Sequence, residues 1–313
     1  MSIEIEDLTN TLYAQVEKQG YKAKIVSIEH ASELQEEIEE KFRLGLLSEE
    51  VYREVLTWVD FRIPTISPSP KSIIVVAAPQ PQVRVTFDWN GNKFHCMIPP
   101  IYSHATDDQV KNLLEPHLES KGYHLVKASL PLKLLAVRSG LAQYGRNNIS
   151  YVQGMGSFHR LAAFYTNFPF LEDNWGELAV MEQCEKCTAC QKVCPTGAIP
   201  SDRFLLRAQR CLTFLNEGQE EFPQWLEPSL HHCLVGCLYC QKICPVDKDF
   251  LDRTEEGPTF SHQETASLLQ GWPESKMPQV TIAKLEKLGL MDHFNVLGRN
   301  LSVLVKLGSG HAI

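Results

Sequence analysis

Cys184-Glu185-Lys186-Cys187-Thr188-Ala189-Cys190-Gln191-Lys192-Val193-Cys194-Pro195 is the stretch on which the reading of this chain turns. It spells C-x2-C-x2-C-x3-C-P, the bacterial iron–sulfur run in which three thiolates hold one 4Fe-4S cluster and the fourth ligates the other. Three cysteines on a tight loop reach three corners of one cubane, and the proline after the last turns that thiolate toward a neighbour. A second run about fifty residues on, Cys233, Cys237, Cys240, Cys244 and Pro245, makes a pair and implies two clusters sharing ligands.

The second run reads C-x3-C-x2-C-x3-C-P, so one of its members is a candidate non-ligand. Cys211 lies between the runs, which gives nine thiols for eight cluster corners. Cys96, far upstream, reads as a small buried hydrophobe in a strand. Disulfides would need an oxidising compartment, yet residues 1–20 hold no apolar stretch of the signal-peptide kind. Zinc sites pair two C-x2-C knuckles and rarely continue into x3-C-P.

At 313 residues, 43% of them hydrophobic, the chain can bury a full core and exceeds one typical domain. Its net charge of -8 argues against extensive nonspecific binding to nucleic acid and leaves room for a local basic patch. No apolar segment approaches the roughly 18 residues of a membrane span. With ten cysteines and no secretion signal, the expected protein is soluble and cytoplasmic, with no membrane contact.

Three regions are expected. Residues 1–175 form an α/β domain. Leu8, Leu12 and Val16 recur at helical spacing, as do Leu34, Ile38 and Phe42 after a Ser32/Gln35 capping box. Ala23–Ile28 reads as a strand, and Ser72–Ala78 is a continuous apolar run of the kind buried on both faces. Val83, Val85 and Phe87 alternate up to Asn90-Gly91, and Phe94, Cys96 and Ile98 alternate after it, a hairpin with a type I′ turn. Helices are expected around 107–121 and 130–139. Residues 176–250 form the cluster module, with a helix from Asp202 that sets Arg203, Arg207 and Arg210 on one face. Residues 251–313 are mostly helical, with Ile282, Leu285 and Leu288 among the apolar positions.

Inside the α/β region, Arg138–Asn148 and Gly154-Met155-Gly156-Ser157-Phe158 are rich in glycine and asparagine. Small residues let a backbone approach something closely, and Arg146 with two asparagines can satisfy a polar ligand. The same residues also suit an ordinary turn with a polar helix cap. The stretch fits neither G-x-G-x-x-G nor a phosphate-binding P-loop.

The order of these segments resembles the epoxyqueuosine reductases: Gly-Leu-x-x-x-Gly-Arg-Asn, a Gly-Ser pair, C-x2-C-x2-C-x3-C-P-x-Gly-Ala-Ile, Arg-Cys-Leu-Thr-Phe-Leu, and Cys-x2-Cys-Gln-x2-Cys-Pro. The likeness runs from about Ser72 to Asn300. It implies a cobalamin-binding type of α/β (α+β) domain, a bacterial dicluster ferredoxin-like module and a short helical C-terminal segment. The implied cofactors are two 4Fe-4S clusters and cobalamin, in an architecture related to reductive dehalogenases. One cluster falls to Cys184, Cys187, Cys190 and Cys244, and the other to Cys194, Cys211, Cys237 and Cys240. Cys233 is then the thiol left over. Gly140, Tyr144, Gly145, Arg146, Asn147, Gly156 and Ser157 take the family's cofactor-side positions, with Arg146 where a lysine is usual.

Two departures bear on function. The family's proton-donating aspartate precedes this loop, but Val126-Lys127-Ala128-Ser129-Leu130-Pro131 has none, and no aspartate occurs from Gln109 to Glu172. Protonating a leaving oxygen needs a general acid, and Tyr102, Tyr144 and His159 are the candidate substitutes. The chain also reaches Ile313 with one or two helices after the clusters, without the family's C-terminal helical repeats. The expected activity is that of an oxidoreductase. Electrons from a ferredoxin or flavodoxin pass through two clusters to a base-off corrinoid that reduces a small organic substrate, in preference to tRNA. No Asp-x-His-x-x-Gly segment supports histidine ligation of the corrinoid. The rival is a dicluster electron-transfer protein that reduces or reactivates a partner corrinoid protein without chemistry of its own; the large first domain favours the enzyme.

Overall fold

The computed structural model describes residues 2–103 and 105–308; Ile313 lies outside them. Helices α1 (Ser2–Lys18), α2 (His30–Arg43) and α3 (Glu49–Trp58) come first, with strands β1 (Lys22–Ser27) and β2 (Ser72–Pro79). Strands β3 (Gln82–Trp89) and β4 (Asn92–Ile98) follow, then α4 (Ala105–Glu119), β5 (Leu125–Lys127) and α5 (Leu132–Arg138). Next come β6 (Gln143–Tyr144), β7 (Ser150–Tyr151), β8 (His159–Thr166), α6 (Ala189–Val193), α7 (Leu212–Glu217) and α8 (Tyr239–Lys242). Strand β9 (Thr254–Phe260) and helices α9 (His262–Leu269), α10 (Gln279–Lys287) and α11 (Phe294–Gly308) complete the chain.

Two compact units result, each drawn from two segments: Met1–Pro79 with Ala105–Cys187, and Gln80–His104 with Thr188–Ile313. They divide the chain differently from the three consecutive regions expected. The β3–β4 hairpin, expected within the first 175 residues, belongs to the second unit. The first cysteine run is divided, Cys184 and Cys187 closing the first unit and Cys190 and Cys194 opening the second stretch of the other.

The first unit is built on an antiparallel sheet of order β1-β2-β8-β5. Ser72–Ala78 is buried at every position, as a central strand covered on both faces must be. Ile74, Val76, Ala162 and Phe164 meet Leu8, Leu12 and Val16 of α1 and Val110, Leu114 and Leu118 of α4. Each such fully buried aliphatic or aromatic side chain contributes about 1.5–3 kcal/mol. Helix α2 begins earlier than its capping-box reading predicts: Glu29 is the N-cap without a side-chain bond, and Ser32 instead donates back to the Glu29 carbonyl.

In the second unit β3 pairs antiparallel with β4 and parallel with β9. Asn90 and Gly91 both have positive φ, 50° and 78°, as a type I′ turn requires. Val85, Phe87 and Ile98 pack with Leu268, Leu285, Leu297 and Leu301 of the C-terminal helices. Cys96 sits in this core as a buried strand residue, and burial alone pushes its thiol up to about 12. No described helix is long and apolar enough to cross a membrane.

Candidate functional site

In the first unit, α5 ends at Arg138, and β6 and β7 form a small hairpin around Gly145–Ile149. Gly145 is dictated by space: a Cβ there would stand 2.4 Å from the Tyr151 ring and 2.5 Å from Asn147 Oδ1. The Asn147 amide donates to Tyr151 Oη at 3.0 Å, and its oxygen accepts from the Ile149 N–H at 3.3 Å. Asn147 therefore holds the turn.

The hairpin receives the segment that enters the cysteine run. Tyr144 N–H donates to Ala179 O at 2.7 Å, and Met181 N–H donates to Tyr144 O at 2.9 Å. Arg146 completes the grip. Its guanidinium donates to the carbonyls of Cys184, Cys187 and Glu185, and its backbone N–H approaches Cys184 Sγ at 3.4 Å. The planar guanidinium fork suits this use, since it can serve several carbonyls at once. The glycine-rich stretch is thus the socket of the first two cysteines.

Seven of the thiols lie in the second unit's part of the run and beyond, and several gather. Cys211 Sγ accepts from the Thr213 and Phe214 N–H groups and from the Thr213 hydroxyl. Cys237 accepts from the Tyr239 N–H and lies within electrostatic reach of Cys233, Cys211 and Cys194, while Cys211 and Cys194 also feel each other. Burial pushes the Cys211 and Cys237 thiols up, and iron binding reverses this by demanding the thiolate. Among the described residues no three His, Cys, Asp or Glu side chains converge as a single metal ion requires, which for tetrahedral zinc means sulfurs about 3.8 Å apart. Thiols near one another without converging on one point, several of them dressed by amide N–H groups, fit the wider corners of a cubane.

The candidate proton donors are dispersed. Tyr102 lies in the second unit, where its hydroxyl donates to the Glu217 carboxylate; burial and that charge hold the phenol well above its ordinary value. Tyr144 is buried in the first unit, and its phenol is raised by burial and then by Glu37. His159 uses both ring nitrogens, on Ser150 Oγ at 3.2 Å and Gly156 O at 3.1 Å, and burial lowers it to about 4.

A different carboxylate reaches the stretch that lacks one. Asp107, buried in the first turn of α4, accepts from Arg160 at 2.7 and 2.9 Å and pairs with Lys127 Nζ at 2.7 Å. Its side chain is 5% exposed against 56% for Lys127. Asp107 stands two positions outside the aspartate-free window. The available signal was Arg160, a charged residue inside the apolar run His159–Thr166, together with Lys127 on the neighbouring strand.

The expected helix from Asp202 is absent. Apart from a 3-10 turn over Ala208–Arg210, residues 202–210 are bends and turns. Arg203 donates to Leu206 O, Arg207 pairs with Asp202, and Arg210 donates to Thr196 O and lies over Trp225. Three separately tethered arginines do not make a stripe on one helix face.

Residues 183–247 match the family described as "4Fe-4S double cluster binding domain". Curated relatives include epoxyqueuosine reductase of Escherichia coli, 31% identical over 177 residues, covering 54% of this chain and 45% of that protein. That of Bacillus subtilis is 32% identical over 143 residues, 44% of this chain and 36% of that protein. The chain thus matches less than half the length of either relative. Among solved structures, the Bacillus subtilis enzyme, described with its catalytic aspartate loop swung out of the active site, aligns over 96% of this chain and 82% of its own. Its TM-score is 0.66 at 22% identity. An epoxyqueuosine reductase with an epoxyqueuosine-modified tRNA-Tyr stem loop gives 0.65 at 21% identity, covering 96% and 81%. In sequence and in fold, this chain resembles the epoxyqueuosine reductases and carries their kind of double iron–sulfur segment.

Proposed function

We propose that this chain is an iron–sulfur, cobalamin-dependent reductase of a small organic substrate. Its cluster ligands are Cys184, Cys187, Cys190 and Cys244 for one cubane and Cys194, Cys211, Cys237 and Cys240 for the other. The observation that carries the reading is the Arg146 grip, which joins the glycine-rich hairpin of the first unit directly to the loop of Cys184 and Cys187. A carrier of electrons has no use for an α/β sheet whose loop ends on a cluster ligand.

When bound, the clusters relay single electrons from a ferredoxin or flavodoxin and the corrinoid supplies the strongly reducing centre. Tyr144 and Arg146 fix the cysteine loop. The backbone at Gly140, Gly145, Asn147, Gly156 and Ser157 supplies the main-chain donors and acceptors for the corrinoid. Space beside Gly154, where a Cβ would meet nothing within 4 Å, suits such an approach. Lys127 holds the proton: its ammonium is fixed by Asp107, and its exposure lets solvent reload it. A small substrate is favoured over tRNA because Arg203, Arg207 and Arg210 are individually tethered and the net charge is -8.

The test is anaerobic purification followed by iron and sulfide analysis and absorption spectra with and without cobalamin. About eight irons per chain are expected, with a spectral change on base-off cobalamin binding. Stoichiometric zinc with little iron would overturn the reading. The second reading, an electron carrier, draws support from one fact: Asn147 and Arg146 are already engaged within the protein. Calorimetry showing no cobalamin binding to cluster-loaded protein would select it.

A further inference from the structure

We infer that Cys233 is a reserve ligand of the second cluster, placed to take the iron corner that Cys211 leaves. This rests on the two-cluster reading above and goes beyond it, because eight thiolates already suffice for two cubanes.

The two cysteines outside those eight are held differently. Cys96 is a strand residue in the apolar core, shifted by burial alone. Cys233, 1% exposed, has the Leu238 backbone N–H directed at its sulfur. Cys211 and Cys237 carry the same kind of dress, from Thr213 and Phe214 and from Tyr239. An amide pointed at sulfur stabilises thiolate over thiol, and hydrogen bonds to cluster sulfurs are a standard way for a protein to tune one. A merely space-filling cysteine needs no such donor.

Position agrees with dress. Cys237 lies within electrostatic reach of Cys233, Cys211 and Cys194 together. The Tyr102 phenol feels both Cys233 and Cys211, so these two sulfurs approach one side of the group. The Cys233 backbone is pinned as a bridge partner of Met97, and Leu234 N–H donates to Met97 O at 3.3 Å. The thiol needs a side-chain rotation rather than a loop movement to reach a neighbouring corner. In the exchange, Cys233 Sγ gives up its proton as its bond to iron forms, and the departing Cys211 thiolate takes a proton as its own bond breaks. No electron changes hands.

The experiment compares anaerobically reconstituted full-length protein with Cys211→Ala, Cys233→Ala, the volume-keeping Cys233→Val, Cys211→Ala/Cys233→Ala, Cys211→Ala/Cys233→Val and the control Cys211→Ala/Cys96→Ala. Iron and labile sulfide are counted, electron paramagnetic resonance is recorded after dithionite reduction, and circular dichroism checks the fold. The inference expects about eight irons in each single variant and in the Cys96 control, and about four in both Cys211/Cys233 doubles. Cys211→Ala should also show altered g-values, the mark of a changed ligand. About four irons in Cys211→Ala alone would overturn the reserve role and leave the two-cluster reading standing. The same loss in the Cys96 control would overturn it too, because general core damage then explains the result. A wild-type protein without about eight irons would bring down the cluster reading and this inference together.

Discussion

The sheet of the first unit and the cysteine segment are held by opposite means. Every residue of Ser72–Ala78 is buried, and the strand is paired along its length on both sides. From Cys184 to Cys244, by contrast, the helices α6, α7 and α8 are 5, 6 and 4 residues long, and most of the cysteines are half-exposed. Isolated helices of that length do not hold themselves in water, and half-exposed side chains contribute only part of the burial energy. The comparison teaches that the sheet is folded by its side chains, whereas the cysteine segment needs metal to be ordered.

The largest expected effect follows directly. Removing iron by chelation should make residues 184–247 the preferred site of limited proteolysis while the sheet of the first unit survives, because metal-binding energy is folding energy for such segments. Mass spectrometry of the fragments checks this. Simultaneous cleavage of Ser72–Ala78 and the cysteine segment would break the comparison.

Next in size is Asp107→Asn, which tests the sheet side. The substitution leaves Arg160, whose side chain is 14% exposed, without the carboxylate that holds both its Nε and its Nη2. Breaking a buried pair by removing one partner costs about 3–5 kcal/mol, and denaturant unfolding should show a loss on that scale. If Lys127 is also the proton source, Lys127→Met should lower turnover about 10²–10⁴-fold with iron content unchanged. A Lys127→Met enzyme with the wild-type rate would remove it from that role.

A smaller effect probes the join between the two modes of holding. Gly145→Ala places a Cβ against the Tyr151 ring, and overpacking of that kind costs about 1–3 kcal/mol. The shift should be felt at Arg146, so slower reconstitution of the cluster that uses Cys184 and Cys187 is expected. Unchanged iron uptake would show that the hairpin and the cysteine loop are independent.

Much of this was legible because the signals were local. The hairpin announced itself in Asn90-Gly91 between alternating apolar residues, and both residues take the positive φ that such a turn needs. The buried strand was legible in seven consecutive small or apolar residues. What spacing could not give was pairing at a distance. Arg203, Arg207 and Arg210 sit at helical spacing, yet Thr196 O, Leu206 O and Asp202 capture them one by one in irregular chain. Asp107 and Lys127 are far apart in sequence and meet only because α4 packs across β5 and β8. Arg146 looked like a ligand-binding side chain because glycine and asparagine surround it. Its partners are backbone carbonyls of the cysteine loop, which no side-chain pattern encodes.

The smallest effect separates the two regions by pH. His159 is 3% exposed, with Ser150 and Gly156 on its two nitrogens, and burial lowers it from 6.5 to about 4. Between these values the unfolded chain binds a proton that the folded one refuses, so stability rises with pH across that window. The contribution is fully present above about 6.5 and is lost as pH falls toward 4, reaching a loss of about 2 kcal/mol at pH 5. His159→Gln removes the titrating group, so the variant should be less stable than wild type at pH 7 and should close the gap by about 2 kcal/mol at pH 5. Unfolding should be followed by a probe of the first unit, tyrosine fluorescence or hydrogen exchange of β8, so that acid loss of iron in the cysteine segment is not mistaken for the sheet. Parallel stability curves for the two proteins between pH 7 and 5 would mean that His159 is protonated without penalty, and the sheet would then owe less to burial than its covered strands imply.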